Sequence, residues 1–462
     1  MDSPLEASSG ALATLVGDGV AVPCLDGIER TYVDLDAGAS TGALPAVAEH
    51  VMEFLPWYSS VHRGAGRKSQ LATAAYEDAR EALLEFAGRT GDDVAIICRN
   101  TTEAINHLAY RLQLAPDDVV VTTVVEHHAN LLPWARAARR RFIDCEPDGT
   151  FSLEAVAAAL DEEPRPRVLA ITGASNVSGW LPPIDAIIAL AHERDIPVAV
   201  DGAQLAPHRP LPADADYVAF SGHKMYAPFG AGALIGRRKI FEQGDPFLVG
   251  GGAVDLVALD EVVWNTPPDR EEAGSPNVVG AVALAHAARE LMGLGWPAIT
   301  AHDDAIAERL RGGLAAIPGV RVLGPSLDTP VLPIATFDLE GVPHALLAAR
   351  LSAEFGIGAR HGCFCAHPYL VRLLDLSPEE LSAFKAAARQ HDRHALPGAV
   401  RASCGVATSP ADIDRLIEAV TSIAGSDPPV RYERDDVTGD YWPETFERAY
   451  AGGSPDSGCA RG

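Results

Sequence analysis

The sequence lacks several features that would indicate a secreted or membrane protein. It has no uninterrupted apolar run long enough to span a bilayer, and its first residues have neither the basic nor the apolar region of a signal peptide. Its seven cysteines are odd in number and scattered, unlike a disulfide framework. Basic residues are also few, 37 against 63 acidic ones, and the net charge of −26 disfavours nucleic acid and anionic membranes. We therefore expect a cytoplasmic protein that binds neither.

The length and the order of patterns predict more than one domain. At 462 residues the chain exceeds one ordinary compact domain. Over 36–295, short apolar runs alternate with helical patterns, which indicates an α/β domain with a mainly parallel sheet covered on both faces. Over 296–426 the pattern is α+β and predicts a smaller domain. We expect residues 1–35 to pack on that domain, and 427–462 to form an extension whose last dozen or so residues are disordered.

Several segments are assigned to strands from their composition. The predicted strands include residues 94–98, 119–125, 141–145, 168–172, 330–339 and 399–406. Helices are predicted over 69–87, 152–160, 278–292, 299–314, 342–355 and 378–390, and from Ser409-Pro410, which caps and starts the last one, to 423.

The stretch 198–238 contains the most informative pair of residues. One apolar run ends at Asp201, and a second, 217–220, is followed by Ser221, Gly222, His223 and Lys224. Open α/β sheets bind ligands at the carboxyl ends of their strands. Catalysis by pyridoxal phosphate (PLP) needs an acid that keeps the pyridine nitrogen protonated and a lysine that condenses with the aldehyde. Either residue alone would also fit a turn or a surface position.

Together, Asp-Gly-Ala-Gln at 201–204 and Ser-Gly-His-Lys at 221–224 resemble the class V aminotransferase family, which includes the cysteine desulfurases. The resemblance extends over about residues 30–425. It implies a PLP-dependent transferase of fold type I, with a large PLP-binding domain and a smaller α+β domain. It also implies a homodimer in which Lys224 and Asp201 have the two roles above.

Other cofactor-binding residues are implied by the same resemblance. Asn100 suits an N-cap directly after a strand, where free N–H groups could bind a phosphate, although an ordinary capped helix would look the same. His127, followed by His128, would stack on the pyridine ring; a zinc pair lacks matching ligands, and a structural histidine pair remains an alternative. The implied phosphate-side residues are Thr101, Thr102, Ser221 and His223, with Ser275 reaching a partner's phosphate across the dimer interface. Asn176 and Gln204 would hydrogen-bond the ring's phenolic oxygen side. The His-Arg-Gly at 62–64 resembles a segment near the family's active site, which makes His62 a candidate for substrate binding or, equally, part of a surface loop.

The segment 359–368, Ala-Arg-His-Gly-Cys-Phe-Cys-Ala-His-Pro, has three interpretations. Its histidines and cysteines could ligate a metal, although Cys-x-Cys is a weak signal. Its cysteines could be buried and inert. It also resembles the thiol motif of the desulfurases related to selenocysteine lyase, with Cys365 as the nucleophile and no metal.

The same resemblance extends to the substrate. Arg401 would hold the substrate carboxylate, with Arg360 assisting. Cys363-Phe364 replaces the family's His-His before the nucleophile.

The leading hypothesis is a homodimeric cysteine desulfurase that converts L-cysteine to alanine, leaves a persulfide on Cys365 and passes the sulfur to an acceptor protein. The alternatives are another class V reaction, such as transamination, epimerisation or elimination on a different amino acid, and a binding or scaffold protein that has kept the fold.

Overall fold

The computed structural model describes residues 10–392, 396–435 and 437–444. The strands are β1 Ala21–Pro23, β2 Glu29–Thr31, β3 Val33–Asp34, β4 Asp93–Cys98, β5 Val119–Thr123, β6 Arg139–Ile143, β7 Val168–Thr172, β8 Val198–Asp201, β9 Tyr217–Ser221, β10 Gly232–Arg237, β11 Val254–Val257, β12 Val262–Trp264, β13 Val320–Leu323, β14 Ile334–Leu339, β15 Ile357–Gly358, β16 Arg360–Gly362, β17 Ala399–Ser403, β18 Tyr432–Arg434 and β19 Tyr441–Pro443. The helices are α1 Pro45–Phe54, α2 Arg67–Phe86, α3 Thr101–Arg111, α4 Leu132–Ala137, α5 Leu153–Asp161, α6 Ile184–His192, α7 Arg238–Phe241, α8 Val278–Leu294, α9 Trp296–Ala315, α10 His344–Phe355, α11 His367–Leu373, α12 Pro378–Arg389 and α13 Pro410–Ala424.

The largest sheet has seven strands in the order β4-β10-β9-β8-β7-β5-β6. β10 runs antiparallel to β4 and β9, whereas the pairs among β9, β8, β7, β5 and β6 are parallel. Every residue of β5, β7, β8 and β9 is buried, because helices cover both faces and the apolar runs contact them. The predicted α/β fold with a mainly parallel sheet is confirmed, and the parallel strands end at one common edge.

A second, antiparallel sheet has the order β13-β14-β17-β16. Its apolar face packs with side chains of α9, α10 and α13 to form a separate core. Two of its strands are shorter than predicted: β14 begins only at Ile334, after Pro330 and Pro333, which lack backbone donors. β17 ends at Ser403, where the chain turns. The division into domains at residue 296 stays a prediction.

The strand β6 lies two residues earlier than predicted. It covers Arg139–Ile143 and pairs in parallel with β5 from Val119 onward. Three arginines begin this edge strand; Arg139 is exposed, whereas the Arg141 guanidinium donates to the carbonyls of Ala159, Glu162 and Pro164. Apolar composition therefore does not mark the start of this strand.

The N-terminal segment crosses between the two sheets. β3 pairs in parallel with β15, and the Ala37 N–H donates to the Ser403 carbonyl. A few residues later the Thr41 N–H donates to the carbonyl of His223, beyond the end of β9. Residues 33–41 therefore contact both sheets beside the carboxyl edge of the larger one.

The C-terminal extension contains a hairpin, β18–β19. Tyr432 Oη donates to Glu354 of α10 at 3.0 Å, and Asp440 lies 3.1 Å from His361 of β16. The residues for which disorder was predicted lie outside the described ranges. Among the described helices, none alone has the length and apolar composition needed to cross a bilayer; α8 and α9 meet that test only as a pair bent by 81°, and α8 is mostly buried.

Candidate active site

A cavity of about 290 Å³ opens at the carboxyl edge of the seven-stranded sheet. Most of the residues predicted from the sequence line it. They are Thr101, Thr102, His127, Asn176, Asp201, Gln204, Ser221, His223, Lys224, Arg360, Cys365 and Arg401. The structure thus brings together residues that are up to 300 positions apart in the chain.

Asp201 and Lys224 enter the cavity from the ends of neighbouring strands. Asp201 is the last residue of β8; its Oδ1 accepts from the Ala203 N–H at 3.0 Å, and no described donor contacts Oδ2. Burial raises the pKa of this carboxyl group. Lys224 ends the short 3-10 turn after β9, and burial lowers its pKa to about 8 against the attraction of Asp201. The turn needs Gly222, because a Cβ there would lie 2.9 Å from the Ala231 carbonyl oxygen.

The N-terminus of α3 borders the same cavity. Asn100 caps the helix by accepting from the Glu103 N–H at 3.0 Å, as predicted. The Thr101 N–H donates to Ser221 Oγ at 2.7 Å, and the two hydroxyls are also 2.7 Å apart. Hydroxyls and a helix N-terminus facing one cavity suit an anion such as phosphate.

His127 lies on the cavity wall and is electrically neutral. Burial, with the nearby positive charge of Lys224, lowers the pKa of its imidazole to about 3. Nδ1 accepts from the Ala129 N–H at 3.0 Å, which leaves the ring proton on Nε2. A neutral, flat ring can stack on an aromatic ligand, as the resemblance implied for this residue.

Sequence reasoning missed Glu126, the fully buried residue directly before His127. It accepts hydrogen bonds from Thr123 Oγ1 at 2.8 Å and from Asn130 Nδ2 at 2.7 Å, and Asn130 in turn accepts from Trp134. Burial raises the pKa of Glu126 to about 8. Its position directly before His127 was one signal, and Thr123 and Asn130, three residues before and four after it, were another.

The two predicted amide ligands are fixed by backbone carbonyls. Asn176 donates to the carbonyl of Phe364, and Gln204 donates to that of Gly38, both at 2.7 Å. Each amide thereby ties the cavity to a segment from elsewhere in the chain. Their predicted contact with the ring's oxygen stays a prediction.

The thiol segment is a loop between β16 and α11. Phe364 and Cys365 both have φ of 53°, a left-handed conformation that side chains rarely adopt and that functional loops often hold. The loop is tied down by the His128 N–H, which donates to the Cys365 carbonyl at 2.7 Å. Cys365 is exposed and lines the cavity, so the interpretation as a buried inert residue is wrong for it.

The histidines of the thiol segment have partners elsewhere in the structure. In the described ranges, the only three side chains that approach closely enough to share an ion are His62, Glu77 and Asp269, none of which belongs to this segment. His361 contacts Asp440, and His367 Nδ1 lies 3.1 Å from His128 Nε2.

Two arginines complete the cavity beside the thiol. Arg401 on β17 is buried; one guanidinium nitrogen donates to the Asn176 carbonyl at 2.9 Å, and another contacts Asp36 Oδ1 at 3.1 Å. Arg360 on β16 also donates to Asp36. Sequence reasoning missed Asp36, which contacts these arginines across more than 300 residues.

His62 and Ser275 do not reach this cavity within the chain. They line a separate one of about 160 Å³, where His62 Nε2 lies 3.0 Å from Glu77. Ser275 was predicted to act in the site of a second copy, and that role stays a prediction, as does substrate binding by His62.

The sheet, the smaller second sheet and a lysine and an acid on adjacent strand ends define the class: this is the architecture of the fold type I transferases, as predicted. A family model described as Aminotransferase class-V matches residues 33–416. The chain belongs to the class V aminotransferase family.

Proteins similar to this chain are described as cysteine desulfurases. A probable cysteine desulfurase of Halobacterium salinarum is 32% identical over 400 residues, which cover 84% of this chain and 90% of the relative. Another, of Vibrio cholerae, is 33% identical over 400 residues, covering 84% and 92%. Among solved structures, the apo cysteine desulfurase of Thermococcus onnurineus NA1 matches with a TM-score of 0.76 at 28% identity, covering 85% of this chain and 95% of that one. The cysteine desulfurase CsdA of Escherichia coli matches with a TM-score of 0.72 at 31% identity, covering 85% and 94%.

Proposed function

We propose that this protein is a PLP-dependent cysteine desulfurase, which converts L-cysteine to alanine and leaves a persulfide on Cys365. The observation that carries the proposal is that the exposed thiol of Cys365 opens into the same cavity as Lys224 and Asp201. The similar proteins described as cysteine desulfurases support it.

The residues in the cavity fit the cofactor. The buried Asp201 carboxylate has an oxygen without a described donor, which suits a protonated ring nitrogen. The hydroxyls at the α3 N-terminus, with His223, suit the phosphate, and the neutral ring of His127 suits the pyridine face. When bound, PLP supplies an aldehyde that condenses with amines and a ring that accepts electron pairs.

Each remaining residue would act on the substrate. Arg401 binds the α-carboxylate, for which its planar guanidinium is suited. Lys224 takes the proton from the substrate Cα, a task for which an amine with a pKa near neutrality is efficient. The Cys365 thiolate attacks the substrate sulfur, so that a sulfur–sulfur bond forms while the bond between sulfur and Cβ breaks. The electron pair of the broken bond stays on carbon, which takes up a proton to give alanine.

We also propose the larger assembly expected from the sequence. The end of α1 and the turn after it expose Met52, Leu55 and Trp57, apolar side chains that a second copy would cover in a homodimer. The division into a large domain over 36–295 and a small one over 296–426 remains part of the proposal. We also propose a cytoplasmic location and an acceptor protein for the sulfur.

Incubation of the PLP-loaded protein with L-cysteine and a thiol reductant tests the function. We expect sulfide and alanine in equal amounts, because each carbon–sulfur bond broken yields one of each. Sulfide is measured colorimetrically and alanine by chromatography. Alanine without sulfide, or a cofactor converted to its amine form by an amino donor, would indicate another class V reaction and contradict the proposal.

The lowered pKa of Lys224 predicts a pH dependence of cofactor capture. Only the neutral amine attacks an aldehyde, and its fraction rises as the pH passes the pKa of the group, about 8 in the folded protein instead of 10.5. The rate of covalent capture of PLP by the apoprotein should therefore rise through pH 8 and level off above it. Borohydride trapping and mass spectrometry measure this rate. A rate that keeps rising to pH 10 would show that the amine is not perturbed.

A further inference from the structure

The carboxylate of Asp36 meets two guanidinium groups at the cavity. It accepts from Arg360 Nε, at 3.1 Å to Oδ1 and 2.9 Å to Oδ2, and Oδ2 also lies 2.9 Å from the other contacting nitrogen of Arg360. Its Oδ1 accepts from Arg401 at 3.1 Å. One acid thus pairs with both residues proposed to recognise the substrate's carboxylate.

The fold holds Asp36 firmly in this position. The neighbouring β3 pairs with β15, and the N–H groups of Ala37 and Gly38 donate to the carbonyl and the hydroxyl of Ser403. A Cβ at Gly38 would lie 3.0 Å from that hydroxyl, so the segment approaches β17 as closely as glycine permits. Asp36 itself is not among the residues that line the cavity, whereas both arginines that it contacts are.

The two arginines differ in their freedom to move. The Arg401 side chain is 2% exposed and is also held by the Asn176 carbonyl, so its position does not depend on Asp36 alone. The Arg360 side chain is 48% exposed, and its only described anionic partner is Asp36, which it contacts through two nitrogens. Loss of the carboxylate would therefore release Arg360 rather than Arg401.

The charges around the cavity explain why the position of Arg360 matters for the ligand. His127 and His223 have lowered pKa values because of burial and are uncharged near neutral pH. In the proposed function Asp201 and Lys224 are engaged with the cofactor and not with the substrate's carboxylate. The guanidinium groups of Arg360 and Arg401 carry two positive charges, and the Asp36 carboxylate neutralises one of them. The remaining positive charge matches the single α-carboxylate of the substrate and leaves none for a second anion.

We propose that Asp36 is a positioning residue that sets substrate specificity: by holding Arg360, it restricts the cavity to amino acids whose side chain is uncharged. The inference rests on the proposed function in assuming that the cavity binds an amino acid. When the Asp36 carboxylate is absent, Arg360 pairs with an anionic side chain of the ligand, and acidic amino acids bind more tightly.

The test compares the dissociation constants of L-aspartate and L-alanine, two amino acids that differ by one carboxylate. They are measured on the PLP-loaded protein from the change in cofactor absorbance. In Asp36→Asn, the ratio of the L-aspartate constant to the L-alanine constant should fall at least tenfold. In the control Asp414→Asn, which removes a surface acid that pairs with Arg309 through two bonds, the ratio should stay unchanged.

Two further variants test whether Asp36 acts through Arg360. Arg360→Lys keeps the charge but cannot make the two-pronged contact, so it should lower the ratio as well, even if Asp36→Asn fails to fold. The double variant Asp36→Asn with Arg360→Gln should return the ratio to within threefold of the parent. The inference is overturned if the ratio in Asp36→Asn stays within threefold of the parent. If Asp36→Asn does not fold, the same result in Arg360→Lys overturns it. A parent protein that binds L-alanine but releases no sulfide from L-cysteine would refute the proposed function and leave this test intact.

Discussion

Lys224→Ala should lower the rate of sulfide release from L-cysteine by at least about a thousandfold, the effect expected when a positioned proton-transfer group is lost. The amine lies in the cavity at the end of β9, and its pKa is lowered to about 8, so that it can both accept and return a proton near neutral pH. Alanine leaves the carboxylate and the hydroxyls in place but removes this base. Sulfide and alanine formation, followed over hours at saturating cofactor, measure the loss.

Lys239→Ala is the matched control, because Lys239 is one of the few other lysines and is exposed on α7. It should behave as the parent does. The Lys224→Ala protein should still bind the cofactor reversibly, with an altered absorbance spectrum, because the binding groups around Asp201 remain. Sulfide release within tenfold of the parent in Lys224→Ala would contradict the assignment of this lysine.

Cys365→Ser should lower sulfide release by at least about a hundredfold and leave cofactor binding as in the parent. A serine hydroxyl stays protonated at neutral pH, whereas it is the thiolate form of cysteine that attacks sulfur. The side chain is exposed and in a loop, so the substitution should cost little stability. Sulfide assays and the cofactor spectrum separate a loss of chemistry from a loss of binding.

Cys363→Ser provides the control from the same loop, since Cys363 is partly buried and lies outside the cavity lining. It should keep sulfide release within about threefold of the parent. After incubation with L-cysteine without reductant, mass spectrometry should find one added sulfur on the peptide that contains both positions in Cys363→Ser, and none in Cys365→Ser. If Cys365→Ser releases sulfide as fast as the parent, the assignment of the thiol is wrong.

The strands and helices could be predicted largely from local patterns. β7 was predicted at its observed bounds, and Asn100 and Ser409 were recognised as helix caps, because capping and burial of a short apolar strand depend on neighbouring residues. The positions of Asp201 and Lys224 at strand ends followed from the same patterns. Predictions failed where a strand was not apolar, as in the arginine-rich β6, or where prolines interrupted a run, as before β14.

The sequence by itself determined the fold class, the family and the residues that carry the proposed chemistry, because each depends on residue types at short spacing. Only the tertiary structure decided that Asp36 holds Arg360 and that His62 lies in a different cavity from Lys224. The contact of Asp36 with Arg360 joins segments 324 residues apart, and its distance is set by how the second sheet and the N-terminal segment pack. No local pattern of residues encodes such a distance.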